Sequence, residues 1–158
     1  MRTLVLMALL VGACTRPSAV PPAGGAQEER VVGVPASVGS APMNVRTQLT
    51  AEGGERLYVT GPLSNEIRSL AGARVAVRGR RAADGSLEAT DYDVLSVNGR
   101  PVVMGVVERA SDGSLHLRTA DGKAVRLQGA PAAFRPGMKV WVQGPGNVTV
   151  QTYGVVRS

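Results

Sequence analysis

The feature that most constrains this chain is that it repeats itself. A repeat settles architecture before any single residue does. "EGGERLYVTG" (52–61) lies over "ADGKAVRLQG" (120–129), with Gly54 on Gly122, Leu57 on Val125, Val59 on Leu127 and Gly61 on Gly129. "LAGARVAVRG" then lies over "FRPGMKVWVQG", placing Gly72 on Gly137, Val75 on Val140, Val77 on Val142 and Gly79 on Gly144. Last, "TDYDVL" lies over "QTYGVV", with Tyr92 on Tyr153. The order is kept and only loop lengths change, so duplication of a module of about sixty residues accounts for the pattern.

Each matched segment has the period of two that a half-buried strand requires. Leu115 and Leu117 share one face while His116 and Arg118 take the other; Val75 and Val77, like Val140 and Val142, point inward. Turn pairs punctuate the strands: Asp84-Gly85, Asn98-Gly99, Asp112-Gly113 and Asp121-Gly122. "SNEIRSL" (64–70) reads as one short helix, with Ser64 as N-cap, Ile67 and Leu70 on one side and Gly72 beyond its end. Its counterpart "APAAFRP" carries two prolines and reads as a loop.

The expected fold class is all-β: two tandem small five-stranded barrels, each with a loop or short helix between its third and fourth strands. The pattern "L-x-G-x-x-V-x-V-x-G", followed by a turn and a tyrosine-bearing strand, resembles the OB-like domains of bacterial secreted proteins and lipoproteins. SH3-like barrels or one merged β-sandwich suit the same strand pattern. The domain bounds are then 1–13 for a signal peptide, 14–42 for a linker, 43–100 for the first barrel and 101–158 for the second. Residues 15–42 are rich in Pro, Ala, Gly and Ser, a composition that buries too little apolar surface to order itself. Val31 to Val34 is the one apolar cluster there, and it offers an added strand to the domain that follows. Each half is short for an independent domain, so the barrels are expected to pack on each other.

The leader and the only cysteine, Cys14, supply an address. Met1-Arg2 precedes an apolar run, Leu4 to Val11, that is far shorter than the roughly 20 residues a membrane-spanning helix needs. Val11-Gly12-Ala13-Cys14 resembles the lipobox of bacterial lipoproteins. The resemblance implies that the Cys14 thiol carries diacylglycerol and that the leader is removed before it. Two or three acyl chains together hold a protein at a membrane, where one alone binds only marginally. Thr15 stands where an aspartate commonly retains such proteins at the inner membrane, so the expected location is the outer membrane, facing the periplasm.

Catalytic motifs are hard to find. No HExxH, no CxxC and no phosphate-binding glycine loop occurs, and no cofactor or metal is implied. Asp112, Ser114 and His116 spell a triad as letters, but positions along one turn and strand are not expected to converge. Asp91 and Asp93 flank Tyr92 on one strand face, which reads as a solvated edge rather than a cation site.

The expected function is therefore binding, not catalysis. The chain has 18 Lys+Arg against 12 Asp+Glu, and the sharpest basic cluster, Arg78, Arg80 and Arg81, runs from a strand end into the "AADG" turn, with Arg74 and Arg100 near it. Arginine's planar fork suits phosphate and carboxylate, so nucleic acid or an acidic oligosaccharide is a fitting ligand there. Only three Tyr, one Trp and one Phe are present, few for a nucleic-acid stacking platform. Trp141 is out of phase with Val140 and Val142 and is the expected contact residue, facing outward or into the inter-barrel contact. The reading is a lipid-anchored envelope protein whose barrels bind a partner protein or an anionic polymer. A purely structural assembly role without a ligand is its competitor.

Overall fold

The computed structural model describes residues 28–40, 43–145 and 148–157. Cys14, its lipobox and most of the linker lie outside these residues. The described chain is all-β apart from one short helix, with its strands arranged in two sheets of six and five.

The first unit begins with β1 (Glu28–Val38), then β2 (Arg46–Ala51), β3 (Arg56–Thr60), α1 (Ser64–Ser69), β4 (Arg74–Arg81) and β5 (Leu87–Val97). Their order is β3-β2-β1-β4-β5, and β5 returns to β3 in parallel through Val59↔Leu87 and Thr60↔Glu88, which closes a five-stranded barrel. Residues 28–38 are therefore not linker, as their composition suggested, but the central strand of this barrel. The boundary at residue 43 moves accordingly to Glu28.

One strand can serve two neighbours because of Gly33. The first half of β1 pairs with β4 and the second half with β2, and Gly33 belongs to both registers. A Cβ there would lie 2.3 Å from the Thr50 carbonyl oxygen, so only glycine lets the two backbones approach. Pro35 follows where β4 has already departed. Its carbonyl accepts from the Gly72 N–H at 3.3 Å, so its missing N–H lies on the side away from β2 and breaks no ladder bond.

A turn at Asn98 and Gly99, both at positive φ, folds β6 (Arg100–Pro101) back onto β5. The second unit follows as β7 (Val103–Arg109), β8 (Leu115–Arg118), β9 (Ala124–Arg126), β10 (Lys139–Gln143) and β11 (Thr152–Arg157). Its order, β9-β8-β7-β10-β11, reproduces that of the first unit strand for strand. The repeat also extends further back than the matched segments above. "VVGV" (31–34) corresponds to "VMGV" (103–106), and Gly105 meets the Arg118 carbonyl oxygen at 2.4 Å from its ideal Cβ, as Gly33 meets Thr50.

One detail of the helix reading changes. The N-cap is Leu63, without a side-chain cap bond, and Ser64 is the first helical residue. Its hydroxyl turns inward to donate to the Val59 carbonyl at 2.9 Å, and the Thr47 hydroxyl donates to the Ser64 carbonyl at 2.9 Å. Ile67 and Leu70 are buried as expected and close the end of the barrel over Tyr92, Val94 and Leu49. Residues 131–137 of the second unit are a loop, which contributes buried Phe134 to a second, smaller core with Val107, Leu117, Val140 and Val142.

The two barrels pack together. Met104 belongs to the first unit's core cluster, and Val97, Val102, Trp141 and Val156 pack against it. Trp141 thus faces the joint between the barrels. It lies over Gly154, where a Cβ would come within 2.5 Å of the indole ring. The Gln143 side-chain amide ties β10 to the hairpin by donating to the carbonyls of Val97 (3.0 Å) and Arg100 (3.1 Å).

Candidate ligand-binding site

The basic cluster singled out in sequence is largely spoken for. Arg78, Arg80 and Arg81 all lie within β4 rather than in the loop after it. Arg81 forks between Glu29 and Glu55, both at 2.9 Å, and these two carboxylates hold its guanidinium charged. Arg78 pairs with Asp91 at 2.8 Å. Arg80 is exposed, with Glu28 and Glu88 opposite it on the neighbouring strands. The acids that answer this cluster sit on β1, on β5 and in the turn between β2 and β3, so adjacency along the chain hid them.

The same ion pair bears on Asp91 and Asp93. Asp91 is engaged by Arg78, whereas burial and the neighbouring Asp91 charge push the Asp93 carboxyl above its ordinary value. Both line an inter-barrel cavity of about 330 Å³ with Lys139 and Arg157. The Lys139 ammonium stands 4.0 Å from the centre of the Tyr92 ring, and burial lowers its pKa.

The letters Asp112, Ser114 and His116 do converge, contrary to expectation. Ser114 Oγ lies 2.5 Å from Asp112 Oδ1 and 3.0 Å from His116 Nε2. The order, however, is Asp–Ser–His, with the serine in the middle. A hydroxyl that donates to the aspartate must accept from the histidine, so the imidazole is turned as donor and not as base. The motif is a turn: "ADGSL" (83–87) in the first barrel makes the same bonds, Ser86 Oγ to Asp84 Oδ1 at 2.7 Å and Ser86 N–H to Asp84 Oδ1 at 3.0 Å, with no histidine nearby.

A different surface has the makings of a binding site. On the first barrel, β2 and β3 form the floor of an open groove of about 450 Å³, lined by Arg46, Tyr58, Thr60, Ser64 and Asp84. The β1–β2 and β4–β5 connections flank it. Leu57 and Val59 are buried, so the strand period turns Tyr58 outward, where it is 43% exposed. The Arg46 guanidinium carbon sits 5.5 Å from the centre of its ring, within cation–π range. Asp84 forms the far wall, held below the ordinary carboxylate range by the Ser86 hydroxyl and amide. An aromatic face beside a cation offers stacking and charge to one ligand unit at a time. The alternation in "RLYVT" (56–60) marks Tyr58 as outward in sequence; only the β2–β3 register brings Arg46 to it.

Charge is also divided unevenly. Residues 28–101 hold nine Lys+Arg and nine Asp+Glu, whereas residues 102–157 hold seven against three. Within the described residues, the chain's basic surplus therefore belongs to the second barrel and not to the β4 cluster. Comparison with protein-family models, curated proteins and solved structures found no match.

Proposed function

We propose that this protein is a binding module of the cell envelope, anchored through a lipidated Cys14, whose first barrel takes an anionic, ring-bearing oligomer across β2 and β3. The observation that carries the reading is the Arg46 guanidinium stacked on an exposed Tyr58 inside a groove between two loops. A sugar or base ring would lie on Tyr58 while an acidic group meets Arg46. The engagement of Ser114 in a turn motif supports binding over hydrolysis, since its hydroxyl is committed to Asp112.

Isothermal titration with oligogalacturonate and with oligothymidylate tests the site. Tyr58→Ala and Arg46→Ala should each weaken the preferred probe about tenfold. Arg46→Ala should also reduce the salt slope by about one unit, while Arg80→Ala plus Arg81→Ala leaves affinity unchanged. Affinity carried by Arg80 and Arg81, with Tyr58 and Arg46 silent, would overturn the assignment. Mass spectrometry of the membrane fraction tests the anchor: an acylated N-terminal Cys14 is expected, and an unmodified mature chain would refute it.

A further inference from the structure

The cavity between the barrels receives opposite charges from its two sides. Tyr92 and Val94 of β5 are buried opposite Val77 and Val75, so alternation turns Asp91 and Asp93 together out of the first barrel. In the second barrel Val106 pairs with Arg118 on one side and Lys139 on the other, and Lys139 pairs with Arg157. Four adjacent strands thus carry three cations in one row. Arg157 joins that row through a bulge. Val155 stands opposite the inward Val140, so plain alternation would turn Arg157 inward as well; one extra residue on β11 brings it round beside Lys139. Both sets of charges line the same space of about 330 Å³, at the small end of the roughly 300–1,000 Å³ of small-molecule sites.

Among the described residues, no ion pair crosses from one barrel to the other. Asp91 is held by Arg78 at 2.8 Å and Arg118 by Glu108 at 2.8 Å, each within its own barrel. Asp93, Lys139 and Arg157 have no ion-pair partner among the described residues. Burial raises the pKa of Asp93 and lowers that of Lys139, the response of charges whose desolvation no counter-ion offsets. Lys139 is set in place by an aromatic ring: its ammonium stands 4.0 Å from the centre of Tyr92, whose hydroxyl donates to Glu66 of α1 at 2.8 Å. With α1 over it, Tyr92 is 1% exposed. Its counterpart Tyr153, where a loop replaces the helix, is 41% exposed and has no cation over it among the described residues.

We infer that this cavity binds a free α-amino acid bearing a second carboxylate, with its ammonium at Asp93 and its carboxylates at Lys139 and Arg157. A simple anion drawn to the basic row would face two aspartates, and a simple cation drawn to Asp93 would face that row. A dipolar molecule meets both walls. Two uncommitted cations against one uncommitted acid select one ammonium and two carboxylates. The site is separate from the Arg46–Tyr58 groove, and its test does not depend on that reading.

The probe is L-glutamate, titrated calorimetrically into the full chain, with amide NMR to locate it. Saturable binding with shifts at Asp93, Met104 and Lys139 is expected. Glutarate, which keeps both carboxylates and lacks the ammonium, should bind at least tenfold more weakly, roughly 1.4 kcal/mol. L-lysine should be weaker by a similar factor. Asp93→Asn should weaken glutamate and abolish its advantage over glutarate, an effect that a loosened fold would not produce. Lys139→Met keeps bulk over Tyr92 and should weaken both ligands; Lys139→Gln serves if the first variant melts early. Absence of saturable glutamate binding, equal affinity for glutarate, or shifts confined to the Arg46–Tyr58 groove would overturn the inference. So would an Asp93→Asn chain that still prefers glutamate.

Discussion

The two barrels are one design executed twice, with different success. They share strand order, the matched glycines at 33/105, 54/122, 61/129, 72/137 and 79/144, and the tyrosine register opposite Val77 and Val142. They differ in what seals the interior. The first has a six-residue helix, a two-residue parallel closure and a balanced charge; the second has a proline-bearing loop, one closing bridge among the described residues and a basic surplus. Strand order thus survives the loss of the helix, because the glycine-hinged first strand and its two antiparallel neighbours suffice to set it. Burial does not survive that loss, because inward residues need a lid as well as a wall.

The sharpest way to break the comparison is to remove the lid from the first barrel. Ile67→Ala deletes the fully buried contact of α1 and should cost about 2–5 kcal/mol. Hydrogen exchange should then show β5 opening first, as β11 is expected to do in the native chain; if β5 stays protected while stability falls, the helix is not the seal. Next in size are the two hinges. Gly33→Ala and Gly105→Ala each force a Cβ against a backbone carbonyl, so each should cost about 1–3 kcal/mol. Denaturant titrations read at Trp141 and by exchange should assign each loss to its own barrel. Equal damage to both barrels from either change would mean that they unfold as one.

Tyr92→Phe removes the hydroxyl that Glu66 accepts and should cost about 1 kcal/mol. Tyr153→Phe should change little, since that hydroxyl has no partner among the described residues, and calorimetry distinguishes the two. The smallest effect concerns pH. Burial raises the Asp93 pKa in the folded chain, so the native state binds that proton more tightly than the unfolded one, and its contribution to stability falls as pH rises through the carboxylate range. Asp93→Asn should therefore raise the melting temperature at pH 7, with the gain vanishing near the acid end of the range. A gain of equal size at both pH values would show that desolvation of the charge is not the cause.

Much of the fold was legible because glycine, valine and turn positions are local signals. The repeat, the outward turn of Tyr58, the helix at 64–69 and the proline loop at 131–137 all follow from spacing within a few residues. Val31 to Val34 was legible as a strand added to the first domain, but the full length and central place of β1 were not, since "ERVVGVPASV" has linker-like composition. Its neighbours, β2 and β4, are distant in sequence. The candidate site was missed for the same reason. Arg46 and Tyr58 are twelve positions apart, and counting aromatics says nothing about which of them has a cation over it. Conversely, Arg78 and Arg81 looked free because Asp91, Glu29 and Glu55 are remote along the chain.

The sequence alone determined that this chain is a duplicated set of short strands with glycine at each close approach, because period and turn chemistry are properties of neighbouring residues. Only the tertiary structure decided which cations are neutralised, that Trp141 serves the joint between barrels, and that one of two matched tyrosines is buried while the other is left uncovered. Burial and charge pairing depend on what lies across the sheet, and residues across a sheet are set by register and closure, not by order along the chain.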